Sequence, residues 1–96
     1  MPNENPVGFE LSVSGRGDGT LEAVYIQLID EPVAQTKEIK SDVFLADYSA
    51  DGRLVGIEIL APVSIAEIEA LFEDDESREN FSRFIRKSVP AEMVTA

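Results

Sequence analysis

The apolar residues of this chain change their spacing once, close to Pro62. Before that proline they alternate with polar residues, as in FELSVS from Phe9 and DVFLADY from Asp42. Beyond it they recur every three or four residues. Alternation places successive side chains on opposite faces of a strand, whereas the longer spacing marks one side of a helix. Strands first and helices last predict an α+β domain, with helices packed on one face of an antiparallel sheet.

About five strands are expected between residues 9 and 61, connected as hairpins and a meander. Their segments are FELSVS, AVYIQLI, VAQTKEIK, DVFLADY and LVGIEIL. The third segment is mostly polar, and its Lys37 and Lys40 suit an exposed edge that resists pairing with other sheets. The fifth segment carries apolar residues in both alternating positions. We therefore expect it at the centre of the sheet, or covered on its second face.

Two helices are expected after the sheet, over residues 64–73 and 77–89. Ser64, with Glu67 three residues later, forms a capping box that marks the start of the first helix. Acidic residues precede the second helix, basic residues end it, and Pro90 follows it. These features agree with the helix dipole and with a proline stop.

The expected domain is a single unit that spans residues 9–89 of the 96-residue chain. Residues 1–8, MPNENPVG, contain two prolines and two asparagines, and they are predicted to form a flexible leader. Residues 90–96 are predicted to form a tail, because no apolar periodicity follows the proline stop.

The chain contains neither cysteine nor histidine. Without cysteine it forms no disulfide, no thiolate zinc site and no thiol nucleophile. Without histidine it lacks the usual acid–base group at neutral pH, and it cannot assemble a Ser-His-Asp triad. The sequence therefore predicts a protein that is not an enzyme, with no catalytic residues and no cofactor.

The chain carries 19 acidic and 8 basic residues, a formal net charge of −11. Nucleic acid and anionic membranes repel such a chain, whereas a basic protein attracts it. No apolar run approaches the ~20 residues of a membrane span, and the N-terminus lacks a signal-peptide pattern. We expect a cytoplasmic protein that binds another protein rather than nucleic acid or a membrane.

The stretch DYSADGRLVGIE has the spacing of a calcium loop. Asp47, Ser49 and Asp51 take its first, third and fifth positions, Gly52 the sixth and Glu58 the last. The alternating flanks instead favour a β-hairpin that turns at the Asp-Gly pair. In a strand, Glu58 would lie roughly 23 Å from the turn and could not close the loop around a metal. The hairpin is the main prediction, and a site formed by Asp47, Ser49 and Asp51 is the minor alternative.

Four consecutive acidic residues separate the two expected helices: Glu73, Asp74, Asp75 and Glu76. Such a run is usually a solvated linker, and here its charge also favours the start of the following helix. The alternative is that this acidic run binds a basic partner or a cation.

The second expected helix carries an apolar stripe formed by Phe81, Phe84 and Ile85. A chain this small has little room to bury three large side chains of one helix, and an exposed apolar patch marks an interface. The stripe is therefore a candidate interface, through which two copies of the chain would form a homodimer.

Three stretches of the chain carry a family resemblance: FELSVSG, GTLEAVYIQLIDEPVAQTKEI and DVFLADYSADGRLVGIEIL. They resemble the first strand, the ALYIRL strand with its polar successor, and the DYDADGRLVGIEIL block of a bacterial family called domain of unknown function 2283. The resemblance covers about Phe9 to Leu60. Ser49 replaces the second aspartate of the family's DYD, which weakens the metal interpretation, and the two helices extend beyond the shared core.

The resemblance implies a small cytoplasmic protein without an established activity, encoded beside candidate toxin genes, and hence an antitoxin-like role. The residues themselves favour a non-catalytic protein–protein interaction module whose acidic surface binds a basic partner. The resemblance implies that this partner is a toxin-like nuclease. One alternative is a structural homodimer without a separate ligand. A further alternative is a carboxylate-based metal-binding protein or hydrolase.

Overall fold

A five-stranded antiparallel sheet forms one layer of the fold, and two helices lie across one of its faces. The computed structural model describes residues 9–95, so the predicted leader over residues 1–8 lies outside the described part. The α+β prediction is confirmed, including the number of strands in the main sheet and the number of helices.

The main sheet places its strands in the spatial order β1-β2-β5-β4-β3. The strands are β1 (Glu10–Gly15), β2 (Leu21–Gln27), β3 (Gln35–Lys40), β4 (Phe44–Tyr48) and β5 (Leu54–Ile59). β5 occupies the centre and β3 forms an exposed edge, as predicted. β1 and β2 form a hairpin, but β2 pairs with β5 rather than with β3. The connection from β2 to β3 therefore crosses one end of the sheet, past β5 and β4.

One face of the sheet forms half of the hydrophobic core. The register aligns two rows of side chains across β2, β5 and β4, namely Val24, Ile59 and Phe44, and then Ile26, Ile57 and Ala46. All six are almost completely shielded from solvent. Burial of each larger apolar side chain contributes roughly 1.5–3 kcal/mol, so this face fixes the sheet against the helices.

The first helix, α1 (Ile65–Glu69), is shorter than the predicted 64–73. The capping box of Ser64 and Glu67 is present, as predicted. The helix stops early because the chain turns after Ala70, and the Arg78 guanidinium donates a hydrogen bond of 3.0 Å to the carbonyl oxygen of Phe72. This contact satisfies a backbone carbonyl group in the turn between the two helices.

The second helix, α2 (Asp75–Ser88), begins two residues earlier than the predicted 77–89. Its N-cap is Asp74, whose carboxylate accepts a hydrogen bond of 2.9 Å from the backbone N–H of Ser77. The helix ends before Val89, because the residue that precedes Pro90 disfavours helical backbone angles. Within the described residues, neither helix has the length and apolar character needed to cross a membrane.

The C-terminal residues, predicted only as a tail, join the fold. β6 (Val63–Ser64) and β7 (Val94–Thr95) pair in parallel beside the start of α1. The N–H of Val63 also donates a 3.0 Å hydrogen bond to the carbonyl oxygen of Met93, and the side chain of Met93 is buried. Strands this short leave no alternation to recognise, so the sequence did not predict this pairing.

Candidate functional site

The face of the sheet opposite the helices is called the open face here. Its side chains form two rows across β2, β5, β4 and β3. The register aligns Tyr25, Glu58, Leu45 and Glu38 in one row, and Gln27, Gly56, Asp47 and Thr36 in the other. Most of these side chains are half-buried, whereas their neighbours on the core face are fully buried.

A hydrogen-bonded network of three side chains joins separate strands on the open face. The hydroxyl of Tyr25 on β2 donates to one carboxylate oxygen of Asp47 on β4, at 2.9 Å. The hydroxyl of Thr36 on β3 donates to the other oxygen of Asp47, at 2.6 Å. Because both oxygens of this carboxylate are engaged, the network holds the Tyr25 ring in one position.

Gly56 makes the span from Tyr25 to Asp47 sterically feasible. It lies on β5, the strand between the two, and it is buried. A Cβ atom at this position would overlap the Tyr25 hydroxyl and would lie 2.5 Å from the Cζ atom of the ring. The ring therefore crosses β5 over a backbone that carries no side chain, which is a recognised role for glycine inside a strand.

The environment of Tyr25 keeps its phenol protonated. Burial is the largest cause, and the hydrogen bond to Asp47 and the charges of Asp47 and Glu58 add to it, so that together they raise the pKa of Tyr25 to about 12. A phenol with this pKa serves as a hydrogen-bond donor at neutral pH. In this arrangement Tyr25 orients the Asp47 carboxylate and presents a half-buried aromatic surface.

The charged strand residues on the open face are all acidic. These four residues are Glu10, Glu38, Asp47 and Glu58, and none of the strand residues that share this face is lysine or arginine. Lys40 points the other way and pairs with Glu67 of α1, with 3.0 Å between Nζ and Oε1. The alternation of the strands thus places these four carboxylates together on the open face.

The minor metal candidate of Asp47, Ser49 and Asp51 does not converge on one point. Asp47 is held by the network on the open face, while the Ser49 hydroxyl donates to Asp51 within the turn. This hydrogen bond is the main cause that lowers the pKa of Asp51, and an ion pair with Arg53 at 3.2 Å adds to it. Gly52 has a φ of 88°, as expected for the Asp-Gly turn. Among residues 9–95, no group of three or more acidic residues is placed to hold a metal ion.

The acidic run of Glu73 to Glu76 serves the start of α2. Asp74 is the N-cap, and the hydrogen bond from the Ser77 backbone lowers the pKa of its carboxyl. Asp75 forms an ion pair with Arg78 one turn later. All four residues of the run are exposed, so the run also remains accessible to a partner.

The apolar stripe of α2 is mostly used inside the molecule. Phe81 is 0% exposed and Ile85 is 2% exposed, so neither side chain is available to a partner. Phe84 is half-buried, and its ring centroid lies 5.2 Å from that of Phe9. The expectation that the chain is too small to cover this stripe is therefore wrong for Phe81 and Ile85, because Phe9 and Phe72 pack against Phe81.

An open cleft of about 720 Å³ lies between one end of the sheet and the start of α2. Apolar side chains such as Leu28, Leu54 and Phe72 form part of its lining, and charged side chains of both signs, including Arg53 and Glu73, also line it. Arg53 is paired with Asp51 and Glu31. With charges of both signs and its arginine already paired, the cleft favours no particular class of ligand.

Sequence reasoning did not identify Tyr25 as part of a hydrogen-bonded network. It also missed Thr36 and Gly56. The available signal was a glycine inside a strand of β-branched residues, which indicates the close approach of another group. The identity of that group depends on pairing between strands more than 20 residues apart, and an alternating pattern does not specify such pairing.

Comparison with known proteins supports the resemblance seen in the sequence. Residues 18–61 match the model of a family described as Protein of unknown function (DUF2283), so this segment resembles that family. The match includes β2 to β5 and all the residues of the Tyr25 network, but it excludes β1 and both helices. No curated protein and no solved structure matches the chain.

Proposed function

We propose that this protein is a non-catalytic interaction module whose open face binds a basic protein partner. The observation that carries the proposal is the sorting of charge by the sheet. Four carboxylates lie on the open face without a basic strand residue among them. A surface of one sign steers an oppositely charged partner and accelerates its association.

The distribution of the basic residues supports the same proposal. Of the 8 lysines and arginines in the chain, four lie on α2, namely Arg78, Arg83, Arg86 and Lys87. The helix packs on the core face of the sheet, so these four basic residues are separated from the open face by the thickness of the domain. The same helix carries Asp75, Glu76 and Glu79, which offset three of the four positive charges. The basic residues of α2 therefore do not reduce the negative charge of the open face locally.

Tyr25 gives the open face a fixed aromatic contact. Its ring is half-buried, and both the hydrogen bond to Asp47 and the backbone of Gly56 define its position. Tyrosine is enriched among the residues that contribute most to protein–protein binding, and a side chain that is already ordered loses little entropy on binding. The proposed contact combines this ring with the surrounding carboxylates.

An antitoxin-like role is the specific form of this proposal that the family resemblance favours. A nuclease that binds anionic nucleic acid presents a basic surface to it. An acidic sheet face would compete for that same surface, and the resulting complex would weaken as salt concentration rises. The substrate surface of such an enzyme would then be blocked without any chemistry by this chain.

The experiment compares the wild-type chain with two charge-matched double variants in affinity purification from cells of its source, at low and high salt. Glu38→Gln with Glu58→Gln removes two of the four negative charges of the open face, and Glu73→Gln with Glu76→Gln removes two of the four negative charges of the acidic run. We expect a basic protein that is retained by wild type at low salt, released at high salt and lost by the first variant only.

Loss in the second variant alone would assign binding to the acidic run instead. Recovery of no basic protein by wild type at either salt concentration would overturn the proposal. Circular dichroism of both variants controls for loss of the fold.

A further inference from the structure

The two edge strands of the main sheet, β3 and β1, differ in how well they resist pairing with a strand of another molecule. β3 carries three charged residues, Lys37, Glu38 and Lys40, which resist pairing with another sheet. β1 has no charged residue between Leu11 and Gly15, and the irregularity in its pairing with β2 lies at its end rather than its middle. Among the described residues, no strand pairs with the outer side of β1.

The hydrogen-bond pattern shows which groups of β1 point outward. The N–H of Leu28 donates to the carbonyl oxygen of Val55 at 2.7 Å, so the even-numbered residues of β2 bond to β5. The odd-numbered residues, including Tyr25, then bond to β1, and Tyr25 lies opposite Ser12. By the same alternation, Val13 directs its N–H and C=O away from the sheet, where no strand among residues 9–95 pairs with them.

Val13 is also the most exposed large apolar side chain at this edge. It is 48% exposed, although it lies opposite Val24, which is fully buried in the core. The core face is thus incompletely covered at the centre of β1. A neighbouring strand would cover Val13 and would pair its backbone groups at the same time.

We propose that a second copy of this chain fills the position, with β1 pairing antiparallel to β1 about a twofold axis at Val13. In this register Val13 lies opposite Val13 of the second copy, and Leu11 lies opposite Gly15. Glu10 then lies opposite Arg16, so opposite charges meet at both ends of the paired segment. The Arg16 guanidinium also donates a hydrogen bond of 2.6 Å to the carbonyl oxygen of Leu21, which holds it at this end of the hairpin. The sheets join into one ten-stranded sheet.

The twofold axis stands perpendicular to the joined sheet, as in any antiparallel pair of identical strands. Both helical layers therefore lie on one side, and both open faces lie on the other. This interface uses a surface different from the open face, so the dimer proposal can be tested independently of the proposed partner binding. If both hold, the dimer offers two acidic faces to one partner assembly.

The register is testable with a single cysteine, because the natural chain has none. Opposite residues in a hydrogen-bonded antiparallel pair have Cα atoms about 5.5 Å apart, a separation that suits a disulfide. We expect Val13→Cys to form a disulfide-linked dimer rapidly under mild oxidation. Val33→Cys is the matched control, because Val33 is 47% exposed and lies outside the proposed interface.

Sedimentation equilibrium measures the association without a cross-link. Val13→Pro removes an outward N–H that β2 does not use, and should give a folded monomer where wild type is a dimer. Each copy carries a net charge of −11, so the wild-type dimer fraction should rise with salt, opposite to the proposed hetero-complex.

A wild-type monomer at about 0.5 mM, well above typical weak dimer constants, would overturn the proposal. Equal cross-linking rates for Val13→Cys and Val33→Cys would also overturn it. If Val13→Pro proves unfolded by circular dichroism, Val13→Lys places two like charges opposite each other and should also give a monomer. A dimer that persists in either folded variant would show that a different surface mediates it.

Discussion

The ring of Tyr25 lies directly over Gly56, so that a residue of one strand occupies the space that a side chain of its neighbour would fill. This contact allows the Tyr25 hydroxyl to reach Asp47 two strands away. The geometry of the open face thus depends on one position without a side chain.

Gly56→Ala should destabilise the fold by about 1–3 kcal/mol, the usual cost of overpacking, because the Tyr25 ring must move away from Asp47. Urea denaturation measures the change. Gly17→Ala is the control, since a Cβ atom there meets no neighbour, and we expect a change within about 0.5 kcal/mol. Equal stability of the two variants would show that Tyr25 does not need the space above residue 56.

Ultraviolet titration should reveal one tyrosine that ionises near the pKa of about 12 that burial and Asp47 impose on Tyr25. Asp47→Asn should lower this pKa, because the variant removes one negative charge beside the phenol. In the folded state the pKa lies above its ordinary value of 10.0, so between these values the unfolded chain binds fewer protons. The free energy of unfolding should therefore fall as pH rises through that window, and it should fall less in the Tyr25→Phe variant.

Asp74→Ala should lower the thermal midpoint by roughly a few degrees, because α2 loses its N-cap. The hydrogen bond from the Ser77 backbone lowers the pKa of Asp74, so its stabilising effect is present above the ordinary value of 3.8 and is lost as pH falls below it. Asp74→Ser keeps an N-cap and should retain the midpoint at neutral pH without this acid sensitivity. A midpoint unchanged in Asp74→Ala would indicate that α2 starts elsewhere.

Phe81→Ala should cost about 3–5 kcal/mol, because it opens a cavity among fully buried neighbours. Phe84→Ala should cost clearly less, since Phe84 is half-buried and contacts Phe9 at the edge of the core. Chemical denaturation of the two variants gives the comparison. A larger loss in Phe84→Ala would contradict the assignment of Phe81 to the core.

The sequence predicted those parts of the fold that depend on local pattern. The polar character of β3 placed it at an edge, the apolar residues on both faces of β5 placed it at the centre, and Ser64 with Glu67 marked the start of α1. The predicted start of α2 was two residues too late. The N-cap is Asp74, whose carboxylate accepts a hydrogen bond from the backbone N–H of Ser77, and one acidic residue within a run of four does not stand out as a cap.

The candidate site was less accessible to prediction, because its residues meet only through long-range pairing. Tyr25 and Asp47 lie 22 residues apart, and they approach each other only because β2 pairs with β5 instead of β3. Periodicity gives the face on which a residue lies but not the neighbour of its strand. The acidic character of Asp47 therefore suggested a metal ligand, whereas the structure makes it the acceptor for two hydroxyl groups.

The parallel pairing of β6 with β7 joins the segments that flank the two helices. Neither α1 nor α2 therefore has a free outer end from which it can fray progressively. To open the helical layer, the backbone hydrogen bond between Val63 and Met93 must break together with the packing of Phe81. Amide hydrogens from α1 to the end of α2 should consequently exchange with solvent as one cooperative unit, with a shared free energy of opening, rather than in a gradient along the chain.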